Sequence, residues 1–130
     1  MKVLVTGTFD GFHPGHLHYF EQAKKEGNYL IVVVARDSTV RKEKGKLPRI
    51  KESDRLKLVK NIKIVDEAIL GDEKDKLKSV EKIKPDIICL GYDQQVDEHN
   101  LQKELEKRKL HVMIKRMQPY NKEYKSKNLF

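Results

Sequence analysis

The chain has 130 residues, of which 38% are hydrophobic and 37% charged, and its formal net charge is +8. This length suits one domain with one hydrophobic core and excludes two domains of ordinary size. The N-terminus has no signal-peptide pattern, no apolar stretch is long enough to span a membrane, and the single Cys89 gives neither a disulfide nor a zinc pattern. We therefore expect a soluble cytoplasmic protein without a membrane partner.

Apolar runs and helical patterns alternate along the chain. In chain order, the sequence predicts strand 2–7, helix 14–27, strand 29–35, a polar loop 37–50, helix 51–62, strand 64–70, helix 73–83, strand 86–91, helix 97–109 and a weaker strand 111–116. The pattern predicts an α/β fold, a single Rossmann-like domain with about five parallel strands flanked by helices. This domain covers residues 1–118, and residues 119–130 form its basic C-terminal tail.

Most of the positive charge lies in two segments. Residues 36–51 carry +5 and residues 115–130 carry +4, so that all other residues together carry −1. Such a distribution indicates a place where anions bind rather than a generally basic coat. For any single lysine in these segments, a solvated surface position is the simpler interpretation.

Polar segments rich in distinctive residues follow three of the predicted strands. They are TGTFDGFHPGH (6–16), RDSTVRKEKGK (36–46) and GYDQQ (91–95). The carboxyl ends of parallel strands share one edge of a sheet, and ligands bind at this edge where the strand order reverses. The sequence therefore predicts an active site there.

Two histidines introduce the first predicted helix. His13 and His16 are three residues apart, so both project from one side of the first helical turn. Pro14 suits the first helical position. We expect unpaired N–H groups and the positive end of the helix dipole beside the imidazoles, a combination that binds phosphate. No carboxylate or cysteine is spaced to complete a zinc site with them.

The residues before this helix are suited to an anion-binding turn. Gly7 is expected to let the chain turn off the strand, so that the N–H groups of Thr8 and Phe9 face an anion. Gly15 removes side-chain bulk where a ligand lies against the helix start. Asp10 is expected mainly to cap the turn.

The run GTFDGFHPGH, directly after the first strand, resembles the signature of the HxGH nucleotidyltransferase superfamily, in its cytidylyltransferase-like branch. VVVARDSTV, DEAILG and KPDIICLGYDQ resemble the small archaeal FAD synthases more closely than the bacterial glycerol-3-phosphate cytidylyltransferases. The likeness runs from residue 2 to about residue 116. It implies a Rossmann-like fold and transfer of a nucleotidyl group from a nucleoside triphosphate to a phosphorylated acceptor, with release of pyrophosphate.

The resemblance implies roles for individual residues. His13 and His16 would donate to the α- and β-phosphate oxygens, and Lys46 would reach the phosphates from the loop after the second strand. Arg55 would reach them from the following helix. Mg²⁺ would enter with the triphosphate, held mainly by phosphate oxygens, so no metal site built from protein side chains is expected.

Further nucleotide contacts are expected from the fourth strand and from the tail. Gly91 permits close backbone approach, and Asp93 and Gln94 offer polar side chains near a nucleobase or ribose. Arg116 matches the basic residue that ends the last strand in the family. Only Ser126 remains of the family's Ser/Thr-rich stretch, which contacts the triphosphate.

The leading hypothesis is transfer of AMP from ATP to FMN, giving FAD. One alternative is a CTP-dependent transferase acting on glycerol 3-phosphate or a similar phosphate ester. Another, of a different class, is a non-catalytic nucleotide- or RNA-binding module. No nucleic-acid partner is expected, because the chain has no aromatic-rich basic strand or known nucleic-acid motif. A homodimer is common in the resembling families.

Overall fold

The structure is a computed structural model that describes residues 1–119. The strands in this part of the chain are β1 (Lys2–Gly7), β2 (Tyr29–Val34), β3 (Glu67–Leu70), β4 (Ile87–Leu90) and β5 (Met113–Arg116). The helices are α1 (Pro14–Lys25), α2 (Asp37–Lys44), α3 (Glu52–Lys60), α4 (Lys78–Ile83) and α5 (Glu98–Lys107). Within residues 1–119, no helix is both long and apolar enough to cross a membrane.

The five strands form one fully parallel sheet with the order β3-β2-β1-β4-β5. β1 pairs with β2 along its whole length, from Lys2 opposite Tyr29 to Gly7 opposite Val34. β2 and β3 lie on one side of β1, and β4 and β5 lie on the other side. The predicted Rossmann-like architecture is confirmed, and the strand order reverses between β1 and β4.

Side chains alternate between the two faces of the sheet along each strand, and both faces are buried. Val3 and Val5 of β1 pack with Phe20 of α1 on one face. Leu4 packs on the other face with Leu105 of α5. This two-sided burial explains why the first strands read as unbroken apolar runs.

The expectation of a polar loop over residues 37–50 is wrong, because α2 occupies its first half. Val40 is buried and anchors this short helix against the core. Gly45 ends it in the left-handed region (φ 77°), and its N–H donates to the Arg41 carbonyl at 2.8 Å. One apolar residue among many charges gives too weak a periodicity to be recognised from sequence.

The helix predicted over 73–83 starts only at Lys78. The Asp72 carboxylate accepts from the N–H groups of Lys74 and Asp75, at 3.0 and 2.8 Å. Side-chain bonds of this kind satisfy the backbone locally and compete with the helix.

Candidate active site

Two loops flank the point where the strand order reverses. The histidine turn (residues 8–16) follows β1, and the 91–97 loop follows β4. In doubly wound sheets, the crevice between such loops, at the carboxyl ends of the strands, is where ligands bind. The basic segment (residues 36–51) follows β2, the other neighbour of β1. All three segments that the sequence analysis singled out therefore lie at one edge of the sheet.

The two histidines cap α1 themselves. His13 is the N-cap residue, and its Nδ1 accepts from the Gly15 N–H at 3.0 Å. The Nδ1 of His16 accepts from the His13 N–H at 3.2 Å. The His16 N–H in turn donates to the His13 carbonyl at 2.9 Å. The expectation of unpaired N–H groups at this helix start is wrong for His13, Gly15 and His16, because their N–H groups donate to the imidazoles or to the His13 carbonyl.

This capping leaves the same ring nitrogen, Nε2, as the donor of both imidazoles. The rings are stacked, with centroids 3.7 Å apart and planes inclined by 25°. Each Nδ1 accepts a hydrogen bond, so the hydrogen-bond network assigns the proton of the neutral ring to Nε2. His13 and His16 are therefore neighbouring Nε2–H donors on one side of the turn, as their spacing predicted.

His16 lies against an aromatic floor. Its ring centroid is 5.3 Å from those of both Phe9 and Phe12. Burial, the main cause, and the neighbouring His13 together lower the pKa of His16 to about 4, while Asp93 acts in the opposite direction. At neutral pH this imidazole is an uncharged hydrogen-bond donor.

The turn off β1 occurs at Phe9 rather than at Gly7. Phe9 has a φ of 54°, in the left-handed region, although its ring is only 5% exposed. A Cβ on Gly7 would lie 2.6 Å from Cζ of the Phe9 ring. The glycine thus makes space for an aromatic ring, and the sequence-based explanation by backbone freedom is wrong.

Arg55 is placed differently from the expectation. Its side chain is 0% exposed. Nε donates to the Ile50 carbonyl at 2.8 Å, Nη1 to the carbonyls of Thr8 and Ala35 at 2.8 and 2.7 Å, and Nη2 to the Asp37 carboxylate at 2.7 Å. The guanidinium lies inside the protein, and its contact with phosphate stays a prediction. Its bonds instead join the histidine turn to the basic segment.

Acidic residues that the sequence analysis missed hold the same junction. The Asp37 N–H donates to the Glu52 carboxylate at 2.9 Å, and the Glu52 N–H donates to that of Asp37 at 3.2 Å. The first residues of α2 and α3 thus cap each other's helix. Arg36 adds a bond to Glu52 at 3.2 Å and one to the Gly71 carbonyl at 2.8 Å. An acidic residue at each helix start was the available signal.

Asp10 joins the turn to the basic segment instead of capping its own turn. Its carboxylate accepts from the N–H groups of Arg49 and Ile50 at 2.9 and 2.8 Å, and the hydrogen bond from the Arg49 backbone lowers the pKa of Asp10. A guanidinium nitrogen of Arg49 lies 3.6 Å from the position of a Cβ on Gly11. Arg49, which the sequence analysis missed, therefore lies beside the turn, and Lys46 is exposed on the same segment.

The side chain of Gln94 is used inside the protein. Its Oε1 accepts from the Gly91 N–H at 2.6 Å, and its Nε2 donates to the Thr6 carbonyl at 3.2 Å. These bonds attach the loop to β1, and a contact of Gln94 with a nucleobase stays a prediction. Tyr92, 53% exposed, and Asp93 have exposed side chains on the same loop.

Arg116 holds the same loop from β5. Its Nη1 donates to the carbonyls of Gly91 and Gln94, both at 2.9 Å, and its Nη2 to that of Val96 at 3.3 Å. Its Nε donates to the Glu98 carboxylate at 2.9 Å. These bonds attach the guanidinium to the loop, and a contact of Arg116 with the nucleotide stays a prediction.

Two further expectations concern the metal and the tail. Within the described residues, no group of three His, Cys, Asp or Glu side chains is arranged to hold a metal ion. Ser126 lies outside the described residues, and its contact with the triphosphate stays a prediction.

Comparison with known proteins gives a consistent result. The family model described as cytidylyltransferase-like matches residues 4–128. A FAD synthase from Methanothermus fervidus is 55% identical over 122 residues, which cover 92% of this chain and 83% of that protein. A FAD synthase from Thermoplasma volcanium is 50% identical over 121 residues, which cover 93% and 84%. A crystal structure from Thermoplasma volcanium, described as a lipopolysaccharide core biosynthesis protein, is 50% identical with a TM-score of 0.90, covering 93% of this chain and 98% of that one.

Proposed function

This chain belongs to the cytidylyltransferase-like family, and we propose that it transfers AMP from ATP to FMN, giving FAD and pyrophosphate. The choice of ATP and FMN is supported by relatives named FAD synthase that are at least 50% identical over more than nine-tenths of the chain. The observation that carries the reaction type is the stacked pair of His13 and His16, whose Nδ1 atoms are held by backbone N–H groups so that each ring has Nε2–H as its donor.

The reaction is an in-line displacement at phosphorus. An oxygen of the FMN phosphate attacks the α-phosphorus of ATP, opposite the oxygen that bridges to the β-phosphate. The new P–O bond completes the diphosphate bridge of FAD, and the bond to the bridging oxygen breaks, with its electron pair leaving on pyrophosphate. A phosphate monoester is already nucleophilic, so the enzyme needs no covalent nucleophile or strong base. It needs positioning and stabilisation of an anionic transition state.

The histidine turn supplies that stabilisation. His13 and His16 donate through Nε2 to oxygens of the α- and β-phosphates. Backbone N–H groups hold both Nδ1 atoms, so the rings are oriented before the nucleotide binds and need little reorganisation during the reaction. The Phe9 N–H lines the same cradle, and the exposed Lys46 adds positive charge from the basic segment.

The nucleotide enters with a divalent cation, which we take to be Mg²⁺. Its ligands are mainly phosphate oxygens, the hard donors that this ion prefers, and it neutralises part of the triphosphate charge. The 91–97 loop is assigned to the base and ribose. Asp93 offers acceptors and the exposed Tyr92 a ring for stacking, while Gln94 and Arg116 hold the loop in place.

A small substrate matrix tests the proposal. ATP and CTP are each combined with FMN, glycerol 3-phosphate and other phosphate esters in the presence of Mg²⁺, and both pyrophosphate and the organic product are followed. FAD formed only from ATP with FMN is the expected result. Turnover of CTP with glycerol 3-phosphate and none with FMN would contradict the substrates while keeping nucleotidyl transfer. Absence of pyrophosphate in every combination would favour a non-catalytic binding module.

The expected homodimer stays a prediction, which sedimentation velocity of the purified chain checks.

A further inference from the structure

Arg55 has the largest fully buried side chain in the described part of the chain. Burying a charge is costly unless it is paired and hydrogen-bonded, and an apolar residue of similar volume often serves stability as well. Arg55 is paired with a carboxylate and three backbone carbonyls that come from separate segments. The targets of these bonds therefore indicate what the charge is used for.

One of those carbonyls belongs to the peptide group that joins Thr8 to Phe9. Residues 1–119 contain no cis peptide bond. In a planar trans peptide, the carbonyl and the following N–H point in opposite directions. The Nη1 of Arg55, 2.8 Å from the Thr8 oxygen, holds this carbonyl toward the protein interior. The Phe9 N–H consequently points away from Arg55.

This N–H is held in a strained turn without a protein partner. No acceptor within residues 1–119 receives the Phe9 N–H. Phe9 keeps a φ of 54°, which is unfavourable for a residue with a side chain and persists only where the surroundings hold it. Two contacts hold it here: the aromatic packing of its ring, with the Phe20 centroid 5.2 Å away, and the Arg55 bond to Thr8.

We propose that Arg55 is a positioning residue that aims the Phe9 N–H at the phosphates of the nucleotide. The proposal rests on the proposed function, since a phosphate oxygen is the acceptor that this N–H awaits. Because Arg55 also binds the Ala35 carbonyl and the Asp37 carboxylate, it fixes the histidine turn relative to the basic segment. Both phosphate-binding segments are thus set by one guanidinium inside the protein.

The Phe9 amide can be observed directly. The chain has four phenylalanines, so protein labelled with ¹⁵N-phenylalanine gives at most four amide signals. Inorganic tripolyphosphate with Mg²⁺ is the probe. In the wild type we expect the Phe9 signal to move downfield as tripolyphosphate binds. In Arg55→Lys and Arg55→Met the signal should start at a different position and lose most of this response, because the peptide group is no longer held.

Kinetics of the same variants separate positioning from general structural support. We expect kcat to fall about 10-fold or more in Arg55→Met, while KM for FMN changes less than about 2-fold. Arg108→Met is the matched control, because Arg108 makes three bonds to Asp75 and Glu81 at the end of α5, away from the crevice. It should lower Tm without changing kcat or the Phe9 signal.

Three results would overturn the proposal. The first is an Arg55→Met variant that has lost affinity for tripolyphosphate although its Phe9 signal is unchanged. The second is an equal loss of kcat in Arg55→Met and Arg108→Met. The third is a wild-type Phe9 signal that does not respond to tripolyphosphate. If Arg55→Met does not fold, Asp37→Asn weakens the ion pair while keeping an acceptor, and a smaller change in the same direction is expected. A wild type that binds tripolyphosphate through Phe9 but makes no FAD would contradict the proposed substrates and leave the role of Arg55 standing.

Discussion

Replacement of Gly7 by alanine should disable the site through the Phe9 ring. The new Cβ would lie 2.6 Å from Cζ and 2.9 Å from Cε1 of that ring, whereas carbon atoms in contact are about 3.5 to 4.0 Å apart. The ring must therefore move by roughly 1 Å. It packs against His16 and Phe20, with centroids 5.3 and 5.2 Å away, so the displacement reaches the imidazole that we propose to be catalytic. A misplacement of this size costs about 100-fold in rate.

Gly27→Ala provides a matched control. A Cβ there would lie 2.6 Å from the Met1 carbonyl oxygen and 2.7 Å from Cγ2 of Val3. This overpacking is as severe as that at Gly7, but it occurs at the amino edge of the sheet, away from the crevice. Each variant should lose about 1 to 3 kcal/mol of unfolding free energy.

The assay is initial-rate FAD synthesis alongside urea unfolding. We expect similar unfolding midpoints for the two variants, with kcat about 100-fold lower for Gly7→Ala and within about 3-fold of wild type for Gly27→Ala. Full activity in Gly7→Ala, or equal loss in both variants, would refute the link between the Phe9 ring and catalysis.

Three further predictions concern the histidine turn and the basic segment. His16→Ala should lower kcat about 100-fold with little change in KM for ATP, because its donor acts mainly in the transition state, whereas His99→Ala on the exposed face of α5 should be neutral. Lys46→Ala should weaken ATP binding and reduce its salt dependence, measured by calorimetry at two ionic strengths, with the exposed Lys82 of α4 as the control position. Finally, the free energy of unfolding should decrease as pH falls from 6.5 to about 4, because in this range His16 is protonated in the unfolded chain but neutral in the folded protein. The shift corresponds to about 3 kcal/mol, which solvent screening of the half-buried ring reduces to about 1 to 2. Urea unfolding at pH 7 and pH 4.5 measures it, and His16→Gln should flatten the difference; an identical pH dependence in that variant would contradict the assignment.

The sheet could be predicted because its signal is local. Strands buried on both faces are continuous apolar runs, and helical patterns between them require parallel neighbours. The first strand was predicted with its observed bounds, Lys2–Gly7. α2 was missed because a single buried residue, Val40, anchors it within a strongly charged segment. The spacing of His13 and His16 likewise predicted a shared side of the helix, because that relation depends only on the helical period.

The functions of polar side chains could not be predicted in the same way. Arg55, Gln94 and Arg116 were all interpreted as ligand contacts, and the structure places all three against backbone carbonyls of neighbouring segments. The acceptors lie far away in the chain: Thr6 is 88 residues from Gln94, and Thr8 is 47 residues from Arg55. A sequence does not indicate which polar groups are satisfied internally, because that depends on loops which converge only in the folded protein.

The inward-facing residues suggest how such a site separates reaction type from substrate choice. Arg55, Gln94 and Arg116 bind main-chain atoms, so they hold the loops in place whatever exposed side chains those loops carry. Asp93 and Lys46 are exposed on the same loops and can change without altering the backbone cradle. We therefore propose that the phosphate chemistry depends on the capped histidine pair and the buried bonds, whereas the choice of base and acceptor depends on the exposed positions. Such a division would let one fold serve different nucleotides and acceptors, since function is determined by the site and not by the fold alone.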